Sequence, residues 1–297
     1  MNKIVLILSL CLLSKAVSGV SVIDDEGNKI EFTQPAQRVI TLSPSLTEMM
    51  YAINAEQQLV ATVEYSNFPE AAKNIPRIGN YERFVMERVV AYKPDLVVAW
   101  SSANNSQQLK QLEKLHIPVY RSEPRELIDI SRTIKNLGIL TGKTQVAMQV
   151  ANDFDKGFEK LTEENNNKME LRAFYQVWHQ PVYTVNGQHV ISKIMKLCGL
   201  RNVFEHVTVL APKVTVESVI KHNPDVIIAS GMATAQPEWL DKWRKWPSIN
   251  AVKYDNLFFI HPDLIQRQSL RLLEAAEIIC EQADNARINL KKRDQIH

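Results

Sequence analysis

The chain has 297 residues, a length that accommodates two domains of ordinary size and a large buried core. Hydrophobic residues make up 45% and charged residues 23%, proportions that exclude a disordered tail and a membrane-embedded bundle. Lysine and arginine total 35 against 33 acidic residues, so the chain lacks the strong positive field that non-specific nucleic-acid binding requires. We therefore expect no nucleic-acid partner.

The first segment has the pattern of a secretory signal peptide. Lys3 precedes an apolar or small run from Ile4 to Ser14, and further small residues follow up to Gly19. The run is about half as long as the roughly 20 residues that a membrane-spanning helix needs. We therefore predict a signal peptide over residues 1–19 that is removed on export, rather than a membrane anchor.

Removal of this segment leaves two cysteines, Cys198 and Cys280. An oxidising compartment favours a disulfide between them, and the alternative is two separate buried thiols. Neither cysteine has the C-x-x-C spacing of a redox or zinc site, and the seven histidines are scattered along the chain. We therefore expect no metal site and no cofactor.

The chain contains an internal repeat. Residues 86–99 read MERVVAYKPDLVVA and residues 216–229 read VESVIKHNPDVIIA, and the shared glutamates, Glu87 and Glu217, are 130 residues apart. This offset is too long for a solenoid unit and is typical of one domain. The repeat therefore predicts two similar lobes in tandem.

Each copy of the repeat is interpreted as a helix followed by a buried strand. Proline cannot continue a helix, so each helix ends before Pro94 or Pro224. The apolar runs at 96–99 and 226–229 are typical of parallel strands covered on both faces. The other predicted elements are strands over 38–42, 117–120, 172–177 and 256–260, and helices over 106–115 and 239–246.

Between the two lobes lies a stretch of helical character. Residues 127–140 and 144–164 carry apolar residues at spacings of three and four, and Gly138 and Gly142 mark a break between them. The second part would span about 30 Å at about 1.5 Å per residue, the length of a strut between two domains. The predicted fold class is α/β: two Rossmann-like lobes with parallel sheets, residues 20–140 and 169–297, joined by one long rigid helix over 141–168.

Several aromatic residues lie at predicted strand ends or in turns. Trp100 ends a buried strand of the first lobe, Trp178 ends the opening strand of the second, and Tyr65 and Tyr81 lie in turn-rich segments. Ligands of open α/β sheets bind outside the carboxyl ends of the strands. The tryptophans either cap two separate cores or line one cleft between the lobes.

Taken together, the sequence resembles periplasmic substrate-binding proteins of the helical-backbone class, which serve ABC importers of cobalamin, haem and iron-siderophores. The resemblance covers about residues 36–285 and is greatest to the cobalamin-binding members. The residues that carry it are RVITLSP at 38–44 with Thr47 and Glu48, YSNFP at 65–69, ERVVAYKPDLVVAW at 87–100, Cys198-Gly199, Asn202-Val203-Phe204 and Glu217.

The resemblance implies a ligand site between the lobes and a disulfide between Cys198 and Cys280. Leu264 and Gln266 depart from the pattern, because the cobalamin-binding members have tryptophan and glutamate there. Haem or an iron-siderophore is therefore the alternative ligand, with His179 and Tyr183 as candidate haem ligands. The expected corrinoid contacts are Tyr65, Tyr81, Trp100, Trp178, Asp263, Leu264, Ile265, Gln266 and Arg267.

Glu87 and Glu217 match two glutamates that pair with arginines of the membrane permease in the family. One carboxylate on each of two equivalent lobes suits a two-fold symmetric permease dimer. The alternative is that each glutamate only caps the first turn of its helix.

The resemblance thus implies a periplasmic protein, monomeric when free, that captures its ligand and delivers it to the permease without chemistry. The alternative class is a secreted enzyme on an α/β scaffold. No G-x-S-x-G or H-E-x-x-H motif supports that alternative.

Overall fold

The computed structural model describes residues 19–231 and 238–294. The predicted signal peptide, residues 1–19, lies outside the described part of the chain except for Gly19.

The first lobe is built around a parallel sheet of four strands. Its elements in chain order are β1 (Val20–Ile23), β2 (Lys29–Phe32), β3 (Val39–Thr41), α1 (Pro44–Ala52), β4 (Leu59–Ala61), α2 (Met86–Ala91), β5 (Leu96–Trp100), α3 (Ser106–Lys114) and β6 (Val119–Ser122). The sheet has the order β4-β3-β5-β6, and β1 and β2 form a separate antiparallel pair.

Two long helices lead from the first lobe to the second: α4 (Leu127–Thr141) and α5 (Thr144–Asn165). At about 1.5 Å per residue, the 22 residues of α5 span about 33 Å, and they occupy most of the predicted linking segment, residues 141–168. The two helices pack closely at Gly138, where a β-carbon would lie 2.1 Å from the Cβ atom of Ala147. The glycine at this position is therefore required by the close approach of the helices.

The second lobe repeats the arrangement of the first. Its elements are β7 (Leu171–Gln176), β8 (Trp178–His179), β9 (Val182–Tyr183), α6 (Val190–Leu197), β10 (Leu200–Asn202), β11 (Lys213–Val214), α7 (Val216–His222), β12 (Val226–Ala229), α8 (Glu238–Asp241), α9 (Asn250–Lys253), β13 (Leu257–Phe259), α10 (Pro262–Ile265) and α11 (Leu272–Asp294). The parallel sheet has the order β10-β7-β12-β13, so the repeat strands β5 and β12 hold the same position in their sheets. The predicted α/β fold with two parallel-sheet lobes is confirmed.

Each central strand separates two cores. In β5 of the first lobe, Val98 faces a central core and Val97 faces an outer core. In β12 of the second lobe, Ile228 faces the central core and Ile227 faces a separate outer core. The central core is continuous between the lobes and includes Phe154 of α5. The lobes are therefore joined by a shared apolar core as well as by the linking helix.

Two predicted elements differ from the structure. The strand β7 ends at Gln176, because the backbone N–H of Val177 donates to the carbonyl oxygen of Tyr183 at 2.9 Å and the chain turns into β8 and β9. Trp178 therefore begins β8 and does not end the opening strand. The predicted helix over 239–246 is the short α8 followed by a 3-10 turn, Lys242–Lys245.

The predicted disulfide is present. Cys198 at the end of α6 is bonded to Cys280 in α11, and both residues are buried. The bond links two elements of the second lobe that are 82 residues apart.

Candidate ligand-binding cleft

The carboxyl ends of the two sheets meet at the junction of the lobes. Glu48 lies in α1, which begins three residues after β3, and Arg267 lies just after α10, which follows β13. The Nη1 atom of Arg267 is 2.8 Å from Oε1 of Glu48 and 2.9 Å from Oδ1 of Asn67. The segments that follow β3 and β13 are therefore in contact at the junction of the lobes, the edge at which open α/β sheets bind their ligands.

Tyr65, in the loop that follows β4, is an exposed aromatic residue of the first lobe. Its side chain is 69% exposed, and its backbone has a φ of 64°. A bulky residue in this left-handed region is strained, and such strain is concentrated at binding sites. The backbone therefore holds an aromatic ring in solvent at a cost in conformational energy.

A cluster of buried hydroxyl groups fixes the segment that carries Tyr65. The next residue, Ser66, is 1% exposed, and its Oγ atom lies 2.9 Å from the hydroxyl oxygen of Thr62. The hydroxyl of Thr47 in α1 lies 2.7 Å from those of both Thr41 and Thr62. Each hydroxyl has a hydrogen-bond partner inside the cluster, so the loop is anchored to the end of β3 and the start of α1.

Asn104 brings Tyr81 and Trp100 together. Its Oδ1 atom accepts from the backbone N–H of Trp100 at 2.6 Å, and its Nδ2 atom donates to the carbonyl oxygens of Leu42 at 2.9 Å and Tyr81 at 2.6 Å. Asn104 is buried, so its hydrogen bonds are shielded from water. Tyr81 remains 38% exposed. Partial burial raises the pKa of its hydroxyl, and the nearby Glu82 raises it further.

The second lobe supplies an aromatic wall directly after β7. The ring of His179 lies 4.9 Å from that of Trp178 and is stacked on Trp239 at 5.6 Å, with 11° between the ring planes. Gln176 holds this turn: its Nε2 atom donates to the carbonyl oxygen of Trp178, and its Oε1 atom accepts from the indole N–H of Trp243. The Nδ1 atom of His179 is buried with no hydrogen-bond partner in the described chain.

The segment 263–267 divides into core residues and residues that make polar contacts. Leu264 and Ile265 are 7% and 0% exposed and belong to the central core, because α10 packs these two side chains inward. Gln266 donates to the Oγ atom of Ser230 at 2.7 Å. Asp263 and Arg267 form an ion pair of 2.7 Å.

Arg267 and its neighbour Arg271 are electrostatically compensated. Glu48 lies 2.8 Å from the first and 3.6 Å from the second. Burial raises the pKa of Glu48, although Ser269 and the two arginines oppose the shift. The arginines therefore do not form an uncompensated positive cluster of the kind that an anionic siderophore requires.

Glu87 and Glu217 occupy equivalent exposed positions. Each is the second residue of its helix, α2 or α7. Among the described residues, neither carboxylate has a hydrogen bond or an ion pair, so neither reaches back to cap its own helix. Both carboxylates are available to a partner.

The structure places Trp100 at the end of β5 and Trp178 two residues after the end of β7. Tyr65 and Tyr81 lie in the loop between β4 and α2, and Leu264 and Ile265 lie in the central core. Sequence reasoning missed the roles of Asn104 and Trp239. The only sequence signal for Asn104 is that it is a polar residue shortly after the end of a strand. Trp239 falls in the predicted helix over 239–246, where nothing in the sequence indicates a role at the site.

Within the described residues, no group of three or more histidine, cysteine or acidic side chains is arranged to hold a metal ion. No helix of the same residues is long and apolar enough to cross a membrane.

Two similar α/β lobes with parallel sheets, joined by a long helix, have the architecture of a two-lobed binding protein. The sequence profile of the periplasmic binding protein family matches residues 39–264, and the chain belongs to this family. It is 33% identical over 254 residues to the vitamin B12-binding protein of Vibrio campbellii, covering 85% of this chain and 91% of the relative.

Solved structures agree with this assignment. The periplasmic vitamin B12-binding protein of Vibrio cholerae superposes with a TM-score of 0.78 at 31% identity, covering 85% of this chain and 98% of that chain. The periplasmic haem-binding protein of Vibrio cholerae has the same fold, with a TM-score of 0.73 at 20% identity and coverage of 82% and 98%.

Proposed function

We propose that this protein captures cobalamin in the cleft between its lobes and delivers it to the permease of an ABC importer. The observation that carries the proposal is the placement of a tryptophan at or just past a strand end in each lobe: Trp100 ends β5, and Trp178 follows β7 by two residues. Tyr65 and Tyr81 add exposed aromatic side chains on the loop between β4 and α2. Aromatic faces bind broad, partly apolar rings by stacking, and the corrin of cobalamin is such a ring. Similarity to vitamin B12-binding proteins supports this ligand.

Glu87 and Glu217 are the docking groups in this proposal. Their carboxylates are exposed and unpaired in the described chain, and they stand at matching positions of two similar lobes. A permease dimer with two-fold symmetry presents the same surface twice, so one carboxylate from each lobe meets one cationic group from each subunit.

The proposed setting is the periplasm, after removal of residues 1–19, with a monomeric free protein that carries out no catalysis. Family membership and the disulfide between Cys198 and Cys280 both support an exported chain.

Equilibrium dialysis tests the ligand assignment. The wild-type protein should retain cobalamin, and the double variant Trp100→Ala, Trp178→Ala should lose at least tenfold in affinity, since it removes one ring from each wall. Trp246→Phe is the matched control, because this tryptophan packs against Trp243 in the outer core of the second lobe. Equal affinity in the double variant would refute the cleft as the site.

Haem is a second candidate, and one observation favours it. The imidazole of His179 lies in the second wall with an unpartnered nitrogen, and Tyr183 is paired with Trp178 in the adjacent strand. Both residue types are axial ligands of haem iron. Haem binding predicts a shift of the haemin absorption band that is lost in His179→Ala or Tyr183→Phe; a band unchanged by wild-type protein would exclude it.

A further inference from the structure

One carboxylate of the first lobe is held entirely by the second lobe. Oε1 of Glu48 accepts from Arg267 Nη1 at 2.8 Å, and Nη1 of Arg271 lies 3.6 Å from the same oxygen. The hydroxyl of Ser269 donates to the other oxygen, Oε2. Within the described residues, the carboxylate has no hydrogen-bond partner in its own lobe.

The two arginines make further contacts across the cleft. Arg267 donates to Oδ1 of Asn67 in the first lobe at 2.9 Å and pairs with Asp263 in its own lobe at 2.7 Å. The guanidinium of Arg271 lies 4.2 Å above the ring centroid of Phe68, also in the first lobe. Glu48, Asn67 and Phe68 therefore all contact one short segment that leads from α10 into α11.

The burial of Glu48, Arg267 and Arg271 determines how much their cluster contributes to stability. The side chains of Glu48, Arg267 and Arg271 are 4%, 10% and 20% exposed. A buried ion cluster gains little net stability over an apolar one because its charges lose their hydration, but removal of one member leaves the others uncompensated. The effect of this cluster is therefore mainly geometric: the satisfied arrangement exists at only one relative position of the lobes.

We propose that Glu48 is a positioning residue that fixes the opening of the cleft by holding Arg267, Ser269 and Arg271 of the second lobe. The proposal rests on the proposed function only in treating this cleft as the ligand site. The aromatic walls are then set at their working separation before a ligand arrives, and binding requires little ordering of the protein. Without the carboxylate, the first lobe loses its charged acceptor for Arg267, Ser269 and Arg271 of the second lobe, and the lobes separate more freely.

The opening can be measured in the full mature chain without ligand. Lys114→Cys in α3 and Lys242→Cys after α8 place one spin label on an exposed site of each lobe, and the native disulfide leaves no competing thiol in the described chain. Pulsed electron paramagnetic resonance then measures the distribution of distances between the two spin labels. Glu48→Gln should broaden this distribution and shift it to longer distances.

Asp225→Asn is the matched control. Asp225 forms a part-buried ion pair of 3.0 Å with Arg172 inside the second lobe, so its loss removes a carboxylate of similar kind without touching the lobe junction. This variant should keep the wild-type distribution. A folded Glu48→Gln protein with the wild-type distribution would overturn the proposal, and so would equal broadening in both variants.

If Glu48→Gln does not fold, Ser269→Ala removes one donor and leaves all three charges in place, and it should give a smaller broadening in the same direction. An unchanged distribution in Ser269→Ala would then count against the proposal.

The second readout is the cobalamin dissociation rate, which should rise at least tenfold in Glu48→Gln and stay unchanged in Asp225→Asn. The label distances need no ligand, so a failure of cobalamin to bind leaves this test intact.

Discussion

The side chain of Asn104 accepts a hydrogen bond of 2.6 Å from the backbone N–H of Trp100. The same side chain donates to the carbonyl oxygens of Leu42 and Tyr81, so a single amide ties the end of β3, the loop of Tyr81 and the end of β5 to one another. One wall of the cleft thus depends on a residue that is itself too buried to contact a ligand.

Replacement of Asn104 should affect both stability and binding. Asn104→Ala leaves three backbone groups without this partner, and each buried unsatisfied group costs roughly 1–3 kcal/mol, so the free energy of unfolding should fall by at least about 3 kcal/mol. Affinity for cobalamin should fall with it, because Trp100 and Tyr81 lose their common anchor.

Asn105→Ala is the control for this change. Asn105 caps α3 by accepting from the backbone N–H groups of Gln107 and Gln108, and loss of such a cap costs about 1 kcal/mol. Its cobalamin affinity should equal that of the wild-type protein. Urea denaturation and equilibrium dialysis measure the two quantities, and wild-type affinity in Asn104→Ala would contradict the anchoring role.

Tyr65 should show a conflict between stability and binding. Tyr65→Gly relieves the left-handed backbone strain, so the free energy of unfolding should not fall and should rise by up to about 1 kcal/mol. Affinity should nevertheless drop at least tenfold because the exposed ring is lost. Tyr65→Phe keeps the ring and should bind almost as well as wild type; a stable Tyr65→Gly protein with full affinity would remove Tyr65 from the site.

His189 gives the protein a pH-dependent stability. Its Nδ1 atom accepts from the backbone N–H of Ile191 at 3.2 Å, which only the neutral ring can do, and burial lowers its pKa from 6.5 to about 4. The unfolded chain therefore binds a proton between about pH 6.5 and 4 that the folded chain does not. The contribution of the neutral His189 ring to the free energy of unfolding is complete above pH 6.5 and is lost as the pH falls toward 4.

The size of this effect is set by the pKa difference. Between pH 7 and 4.5, His189 should remove about 2 kcal/mol from the free energy of unfolding. His189→Asn keeps a capping side chain but does not titrate, so urea denaturation should show a pH dependence smaller by about that amount. An identical pH dependence in the two proteins would exclude His189 as the cause.

The docking glutamates should affect transport without affecting capture. Glu87→Ala combined with Glu217→Ala should leave cobalamin affinity unchanged, while uptake driven by the protein and its permease falls at least tenfold. Glu163→Ala combined with Glu277→Ala makes the same change of charge on exposed sites outside the repeat and should preserve uptake. Normal uptake by the first double variant would refute the docking role.

Much of the fold could be predicted because it is encoded locally. The repeat around Glu87 and Glu217 specifies a helix, a proline stop and a strand covered on both faces, and each part depends on neighbouring residues. The position of Trp100 at a strand end followed from the same pattern, as the structure confirms.

The rest of the site could not be predicted from local patterns. Glu48 and Arg267 are 219 residues apart in the chain, and nothing near either residue specifies the other. The burial of Leu264 and Ile265 depends on how α10 packs into the central core, and the position of Trp178 depends on a turn that pairs Val177 with Tyr183. These features depend on contacts between residues that are distant in the chain, so local sequence patterns do not predict them.

A calorimetric titration of the purified mature protein with cobalamin, and separately with haemin, tests the central claim most directly. The protein should give a saturable heat with cobalamin at one site per molecule and no comparable saturation with haemin. Saturable heat with haemin together with none for cobalamin would contradict it.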